Sequence, residues 1–429
     1  MTAEVGVLNS VGVGLAADSA VTIGQAAEKI YTSAEKLFQL SHVAPVGVMI
    51  YGSAFFIGVP WETIIKSYRR RLGDQTFSTV QEYAQDLHEY IQTDTDIFPN
   101  ERKDEYTVQL VAGFYYFIRE ALRTHLDEEA EKRHGGIEEN ELPDIINDFV
   151  NRYLAHVREQ DALADFSPEM GDSVCDHYQH RITNLKNEIF GNLPLHPVTE
   201  QALTDIAVEM LRRKYIGPTK SGVVVAGFGE KQYLPALVTF EVDGVLLGKP
   251  RSVQVNNYTI MSEGKAVIIP FAQTDMVYSF MEGIDSRLKE YMTNSTYVLF
   301  SGVIEAIVNL VTNRDQALGS EIGSYLGPQA KVLLEKLFGD WSTQSANYWQ
   351  PVVNVAASLP KDELGAMAEA LVNLTKFRRR VTTVPETVAG PIDVAVITKG
   401  DGFVWIKRKH YFDPNLNLRL VGRIQRGEY

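Results

Sequence analysis

The N-terminal stretch constrains the fold more than any other part of the chain. Val5 and Val7, and then Val13 and Leu15, stand at alternating positions on either side of Asn9-Ser10. A period of two predicts β-strands, and the polar break between them predicts a hairpin. A chain that begins in a core strand has a fixed N-terminus, whereas most chain ends fray. Residue 2 is therefore expected to be held in one place.

A fixed Thr2 has a chemical use, because an initiator Met is normally removed when a small residue such as Thr follows it. Thr2 would then carry a hydroxyl and a free α-amine on one residue. A Thr hydroxyl is a weak nucleophile until a base accepts its proton, and an α-amine, with a pKa of about 7.7–8.0, can be that base. This is the chemistry of N-terminal-nucleophile hydrolases.

The motifs that follow Thr2 resemble those of proteasome-type β subunits and their bacterial relatives. The family has an N-terminal Thr and then a Leu-Ala-Ala-Asp-Ser hairpin that ends in a Thr, and this chain has Thr2, Asp18 and Thr22 there. Lys36-Leu37-Phe38 is similar to the family's Lys-Leu-Phe strand, and Val46–Gly52 to the strand whose Gly supplies an oxyanion-hole N–H. The resemblance implies Thr2, Asp18 and Lys36 as catalytic residues, Gly52 at the oxyanion and Thr22 at the substrate.

Two supporting positions depart from the family pattern. The family has a Ser-containing loop before its third helix, and Thr274 is the nearest equivalent here, without the Gly-Ser-Gly signature. The family also has an Asp and a Ser before its last hairpin, where this chain has Glu386 and Thr387. The resemblance therefore implies Thr274 and Glu386 as supporting residues with altered chemistry.

The resemblance implies an α+β fold, a four-layer αββα sandwich of two antiparallel sheets flanked by helices. It predicts a single domain over 1–429, with its core at about 1–95, 221–285 and 360–406. Large helical insertions are expected at about 95–215 and 285–350. No cofactor and no metal are expected.

One core strand has two candidates. Residues 107–119 contain an apolar run, but the pattern continues as a helix to Leu126. Val223–Gly229 is favoured, because the strand-like Tyr233–Val242 follows it with a turn predicted at Asp243-Gly244. Near the C-terminus, Ile392–Val404 predicts a closing hairpin.

Composition and charge narrow the class of protein. The formal net charge is −14 at pH 7, which argues against nucleic-acid binding, because that requires a concentrated basic face. The single Cys175 excludes an intrachain disulfide and suits a reducing compartment. The start of the chain has no signal-peptide pattern, and no uninterrupted apolar run approaches 18 residues. A cytoplasmic protein without a membrane partner is expected.

The expected function is peptide hydrolysis by Thr2, with a peptide or unfolded protein as substrate. The resemblance also implies a homo-oligomer, a ring or related assembly, and an ATPase as a possible partner. Two alternatives stay open at this point. One is an amidase of the same chemistry acting on a small molecule, and the other is a catalytically inactive structural subunit.

Overall fold

The computed structural model describes residues 2–23, 29–133, 136–164, 166–217, 220–382 and 388–425. Within these residues the chain forms fourteen β-strands and eleven α-helices. The strands are β1 (Ala3–Asn9), β2 (Val13–Ala17), β3 (Val21–Ile23), β4 (Lys29–Tyr31), β5 (Leu37–Gln39), β6 (Val46–Gly52), β7 (Phe55–Phe56), β8 (Val59–Pro60), β9 (Ser221–Gly227), β10 (Ala236–Leu246), β11 (Lys249–Thr259), β12 (Ala266–Ala272), β13 (Asp393–Thr398) and β14 (Gly402–Lys407). The helices are α1 (Trp61–Leu72), α2 (Val80–Thr93), α3 (Asn100–Lys132), α4 (Leu142–Glu159), α5 (Pro168–Phe190), α6 (Pro197–Arg212), α7 (Asp275–Glu282), α8 (Ser286–Thr312), α9 (Gln316–Ala357), α10 (Lys361–Val381) and α11 (Leu418–Gln425).

The chain divides into two compact units. The first comprises Met1–Ser33, Ile260–Thr398 and Val404–Lys409. The second comprises Ala34–Thr259, Lys399–Phe403 and His410–Tyr429.

The first unit is built on a five-stranded sheet in the order β12-β1-β2-β13-β14. β1 lies inside this sheet, antiparallel to β12 on one side and to β2 on the other. Every residue of β1 and β2 is buried. Helix α10 packs on the sheet through Leu364, Ala368, Leu371 and Val372, and α7 and the end of α9 contribute to the same core. The strand that begins at Ala3 is therefore held by a partner strand on each side.

The second unit is built on another five-stranded sheet, in the order β11-β10-β9-β6-β5. Its neighbouring strands are antiparallel throughout. Helices α1 and α2 pack on this sheet, and their apolar side chains form one core with those of β6, β9 and β10. Helices α3 to α6 form a separate apolar core that includes Leu246 of β10.

The predicted fold class, α+β with two antiparallel sheets flanked by helices, is confirmed. The N-terminal hairpin is confirmed as β1 and β2, and the closing hairpin as β13 and β14. The choice between two candidate strands is also confirmed, because Ser221–Gly227 is β9 whereas residues 107–119 lie inside α3.

The turn predicted at Asp243-Gly244 is wrong, because β10 continues through both residues to Leu246. The side chain of Asp243 explains this difference. It is buried and accepts hydrogen bonds from Arg251 Nε at 3.0 Å and from the Gly217 N–H at 2.7 Å. The chain turns instead between Leu246 and Lys249, where Leu247 and Gly248 have positive φ angles of 47° and 76°.

Among the described residues, one helix is long and apolar enough to cross a membrane, judged by length and composition. It is α8, whose most apolar 18-residue window has a mean hydropathy of 1.5, with none of that window buried. Ser, Thr and Asn interrupt its sequence, so a search for unbroken apolar runs misses it.

Candidate functional site

The backbone on both sides of the Thr2–Ala3 bond is fixed by hydrogen bonds. The Thr2 carbonyl accepts a hydrogen bond from the Gln273 N–H at 3.1 Å, at the end of β12. The Ala3 N–H donates to Asp18 Oδ1 at 3.1 Å, and the Ala3 carbonyl accepts from the Asp18 N–H at 3.1 Å. These contacts hold the first residues of β1 between β2 and β12, as the alternating sequence predicts.

The hydroxyl of Thr2 is buried. Thr2 is 3% exposed, and its Oγ1 has no hydrogen-bond partner among the residues that the structure describes. Leaving a buried hydroxyl without a partner costs about 1–3 kcal/mol, so stability does not account for a Thr at this position.

The carboxylate of Asp18 organises the backbone beside Thr2. Asp18 is fully buried, and Oδ1 accepts from Ala3 while Oδ2 accepts from the N–H groups of Ala20 at 3.1 Å and Ala389 at 3.2 Å. It joins three separate segments of the first unit: the start of β1, the end of β2 and the segment before β13. Asp18 therefore fixes the geometry of the N-terminal strand.

Three residues near Thr2 were not predicted from the sequence. Ala272, paired with Ala3, has φ of 61°, a left-handed conformation that costs a non-glycine residue on the order of 1 kcal/mol. Gln273 is 6% exposed and its Oε1 accepts from Arg379 Nε at 2.6 Å. Arg379 of α10 thus orients the residue whose N–H holds the Thr2 carbonyl. The one signal in the sequence was the position of Gln273, directly after the apolar strand residues 267–272.

The remaining predicted residues of the first unit have different surroundings. Thr274 follows Gln273 and immediately precedes α7, and its side chain does not cap that helix. Thr22 lies in β3, opposite Ile30 of β4. Glu386 and Thr387 lie outside the described residues, so the predicted supporting role of Glu386 has no structural description.

Lys36 and Gly52 belong to the second unit, at the same end of two paired strands. Lys36 immediately precedes β5, is 5% exposed, and its carbonyl accepts from the Ile50 N–H at 2.8 Å. Gly52 ends β6 with φ of 80°, and a Cβ there would lie 2.4 Å from the Lys220 carbonyl oxygen. Only glycine suits both constraints. The structure thus groups Thr2, Asp18 and Thr274 in one unit, and Lys36 and Gly52 in the other.

No protein-family model and no curated protein matches this chain. Among solved structures, a distant similarity exists to Anbu, an ancestral β-subunit, from Yersinia bercovieri, with a TM-score of 0.32 and 10% identity over 99% of this chain and 97% of that one. A Gly-1 mutant of Anbu from Hyphomicrobium sp. strain MC1 gives a TM-score of 0.29 and 8% identity, over 100% of this chain and 96% of that one.

These findings overturn the family assignment that the sequence motifs suggested. The chain matches no family model, and its identity to the Anbu structures is 10% and 8%. The short motifs around Thr2, Lys36 and Gly52 do not extend into a match to any family model or curated protein. The burial and hydrogen bonds around Thr2 and Asp18 carry the functional argument below.

Proposed function

We propose that the protein hydrolyses amide bonds, with Thr2 as its N-terminal nucleophile once Met1 has been removed. The observation that carries the proposal is the buried Thr2 hydroxyl, which has no hydrogen-bond partner among the described residues and lies where the α-amine would form. An N-terminal Thr supplies nucleophile and base from one residue, so neither has to come from elsewhere.

The proposed reaction proceeds in two steps. Oγ1 of Thr2 attacks the amide carbonyl, the α-amine accepts the hydroxyl proton, and the amine product leaves with a proton, giving an ester on Thr2. Water then hydrolyses this ester and releases the carboxylic acid. The hydrogen bonds from Gln273 and to Asp18 hold the peptide group between Thr2 and Ala3, which restricts the positions open to the amine and hydroxyl of residue 2 and favours attack.

The proposed roles of Lys36 and Gly52 rest on the motifs, not on a described contact with Thr2. The motifs suggest Lys36 for keeping the amine in its neutral, proton-accepting form and the backbone N–H of Gly52 for the developing oxyanion. Thr22 and Thr274 are proposed to contact the substrate and to support the amine, respectively.

The test combines the mass of the N-terminus with covalent labelling. The intact mass is expected to lack Met1, and a β-lactone probe should modify residue 2. Thr2→Ala should lose the label, whereas Thr2→Ser should keep part of it, because hydroxyl and amine both remain. An N-terminal tag that is demonstrably retained should abolish both labelling and hydrolysis of a panel of peptides and small amides.

Thr239 provides a matched control. Its hydroxyl in β10 is also buried without a partner among the described residues, but it lies in the middle of a strand. Thr239→Ala should leave labelling unchanged. Hydrolysis at the normal rate by a protein that retains Met1, or by Thr2→Ala, would contradict the proposal. Comparing the rate of hydrolysis of peptides with that of small amides distinguishes a peptidase from a small-molecule amidase.

A further inference from the structure

Helices α8 and α9 form an antiparallel hairpin whose large apolar side chains point outward. None of the residues of α8 is buried, and only four are buried in the 42 residues of α9. Tyr297, Val298 and Leu299 are consecutive in α8 and are 44%, 73% and 65% exposed, so apolar groups cover several faces of this helix. A helix that is apolar all round is normally covered by other protein or by lipid.

Near the turn of the hairpin, two glycines of α9 lie against α8. A Cβ on Gly319 of α9 would lie 2.0 Å from Thr312 Oγ1, and a Cβ on Gly323 would lie 3.4 Å from Val308 Cγ2. Further down the hairpin, Tyr297 and Phe338 pack with ring centroids 5.3 Å apart. Most of the large apolar side chains of the hairpin nevertheless face outward, which is the reverse of what a helix pair in water requires.

The base of the hairpin is attached to the core of the first unit. Three residues separate the end of α7 from the start of α8, and Ala356, near the end of α9, is part of the core formed with β1, β12 and α10. The chain therefore leaves this core along α8 and returns to it along α9. Because the two helices pack together, the protein or lipid that covers α8 must also be compatible with the side chains of α9.

We propose that the hairpin of residues 286–357 binds the same hairpin of a second copy of this chain. Its large apolar residues together expose on the order of 1,500 Å², whereas a stable interface needs about 800 Å² from each partner, so about half of them, on one face of the hairpin, would suffice. These residues are Leu288, Tyr291, Met292, Tyr297, Val298, Leu299, Val303, Ile307, Leu310, Leu318, Tyr325, Val332, Leu333, Leu337, Tyr348 and Val355. Two such hairpins can cover each other's apolar faces as a four-helix bundle with two-fold symmetry.

The charge of the hairpin also favours a second copy. The whole chain has a formal net charge of −14, so two copies repel each other over most of their surface. The hairpin contains five basic and six acidic residues, a net charge of −1. It is the nearly neutral, apolar part of an acidic protein, and two copies can associate through it with little electrostatic cost.

A lipid bilayer fits the hairpin less well, because of the charges on α9. Tyr291–Thr312 of α8 is about 33 Å long and could span a bilayer by itself. The neighbouring part of α9, which packs beside Tyr297, carries Lys331, Glu335 and Lys336. Each charge near the centre of a bilayer costs roughly 2.5–3.5 kcal/mol, so the returning helix opposes insertion.

The test is the oligomeric state of the full chain by sedimentation velocity. The wild type is expected to be a dimer or larger at micromolar concentration. The variant Leu299→Gln/Val303→Gln/Ile307→Gln should sediment as a monomer, with a dissociation constant at least about 100-fold higher. The control Tyr116→Ser/Phe117→Ser removes two side chains of α3 that are 57% and 56% exposed, and it should behave as wild type.

Crosslinking covers the case in which the triple variant does not fold. In a Cys175→Ser background, Val298→Cys should crosslink two copies, whereas Asp127→Cys, whose side chain is 74% exposed on α3, should not. A monomeric wild type overturns the proposal. An oligomer that persists in the triple variant and gives no Val298→Cys crosslink overturns it as well. A monomer that floats with phosphatidylcholine vesicles would show that lipid covers the hairpin instead.

Discussion

The carboxylate of Asp18 accepts a hydrogen bond from the backbone N–H of Ala3 at 3.1 Å, fifteen residues earlier in the chain. This bond links the end of β2 to the first peptide bond after Thr2. It lies beside the ladder of β1 and β2, where Glu4 pairs with Ala17. The Asp18 side chain therefore extends the hydrogen bonding of the sheet to the peptide bond that follows Thr2, the residue that we propose as the nucleophile.

Substituting Asp18→Ala should destabilise the fold. The N–H groups of Ala3, Ala20 and Ala389 would lose their acceptor in a buried place, and each unsatisfied group costs about 1–3 kcal/mol. We expect a loss of about 3 kcal/mol or more in the free energy of unfolding, measured in urea. Asp18→Asn keeps one acceptor oxygen and should lose about half as much.

Asp127→Ala serves as the control, because this carboxylate is 74% exposed on α3 and should change stability by less than about 0.5 kcal/mol. Equal urea midpoints of unfolding for Asp18→Ala and Asp127→Ala would show that the Asp18 carboxylate does not organise the backbone beside Thr2.

Substituting Lys36→Met should lower amide hydrolysis by at least about 10²-fold while the chain stays folded, because Met preserves the length of a side chain that is 5% exposed. If Lys36 has the role that the motifs suggest, loss of its positive charge would favour protonation of the Thr2 amine. The rate profile should consequently move to higher pH, a shift that a merely structural role would not produce.

The comparison protein is Lys132→Met, which removes a Lys whose side chain is 66% exposed at the end of α3. Its pH–rate profile should match wild type. An unchanged profile in folded Lys36→Met would remove Lys36 from the proposed mechanism, whereas the test of Thr2 itself would be unaffected.

Much of the local structure follows from sequence patterns. The period-two alternation around Val5 and Val13 predicted the N-terminal hairpin, and the pattern of Ile392–Val404 predicted the closing hairpin of β13 and β14. Such signals are local, because they depend on which side of a strand or helix each residue occupies.

Other features depend on residues that are distant in sequence. Asp243-Gly244 has the composition of a turn, but the buried pair of Asp243 and Arg251 keeps it inside a long hairpin. Gln273 and Arg379 act near Thr2 through a contact across 106 positions, which no local pattern contains. The exposure of α8 is likewise invisible in its sequence, because apolar helices are usually buried.

Gly14 should not tolerate a side chain. A Cβ on this residue of β2 would lie 2.4 Å from the Leu364 carbonyl oxygen of α10 and 2.6 Å from the carbonyl carbon. The helix backbone would have to move away from the sheet, so we expect Gly14→Ala to destabilise the protein by about 1–3 kcal/mol. Gly400→Ala, with no atom within 4 Å of its new Cβ, should be nearly neutral. Similar melting temperatures for both variants would contradict the close approach of α10 to β2.

Asp285 should make the base of the hairpin sensitive to acid. Its side chain accepts from the Arg287 N–H at the start of α8 and from Arg378 of α10 at 2.8 Å. The hydrogen bond from Arg378 holds the pKa of this carboxyl below its ordinary value of 3.8, and the Arg287 N–H and the charges of both arginines act in the same direction. Because the folded-state pKa is lowered, the stabilisation is complete above about pH 5 and is lost as the pH falls through 3.8 and below it.

The variant Asp285→Asn isolates this charge, since Asn caps a helix about as well as Asp. Asp285 is part of a largely solvated ion pair, so wild type should exceed the variant by about 1 kcal/mol or less near pH 7, and salt should reduce the gap. Urea midpoints between pH 3 and 7 should show a constant gap down to about pH 5 that closes below pH 3.8. Asp315→Asn provides the control, because Asp315 caps α9 through the N–H groups of Ala317 and Leu318. A gap for Asp285→Asn that widens on acidification would reverse the predicted sign and rule out the ion pair with Arg378 as its source.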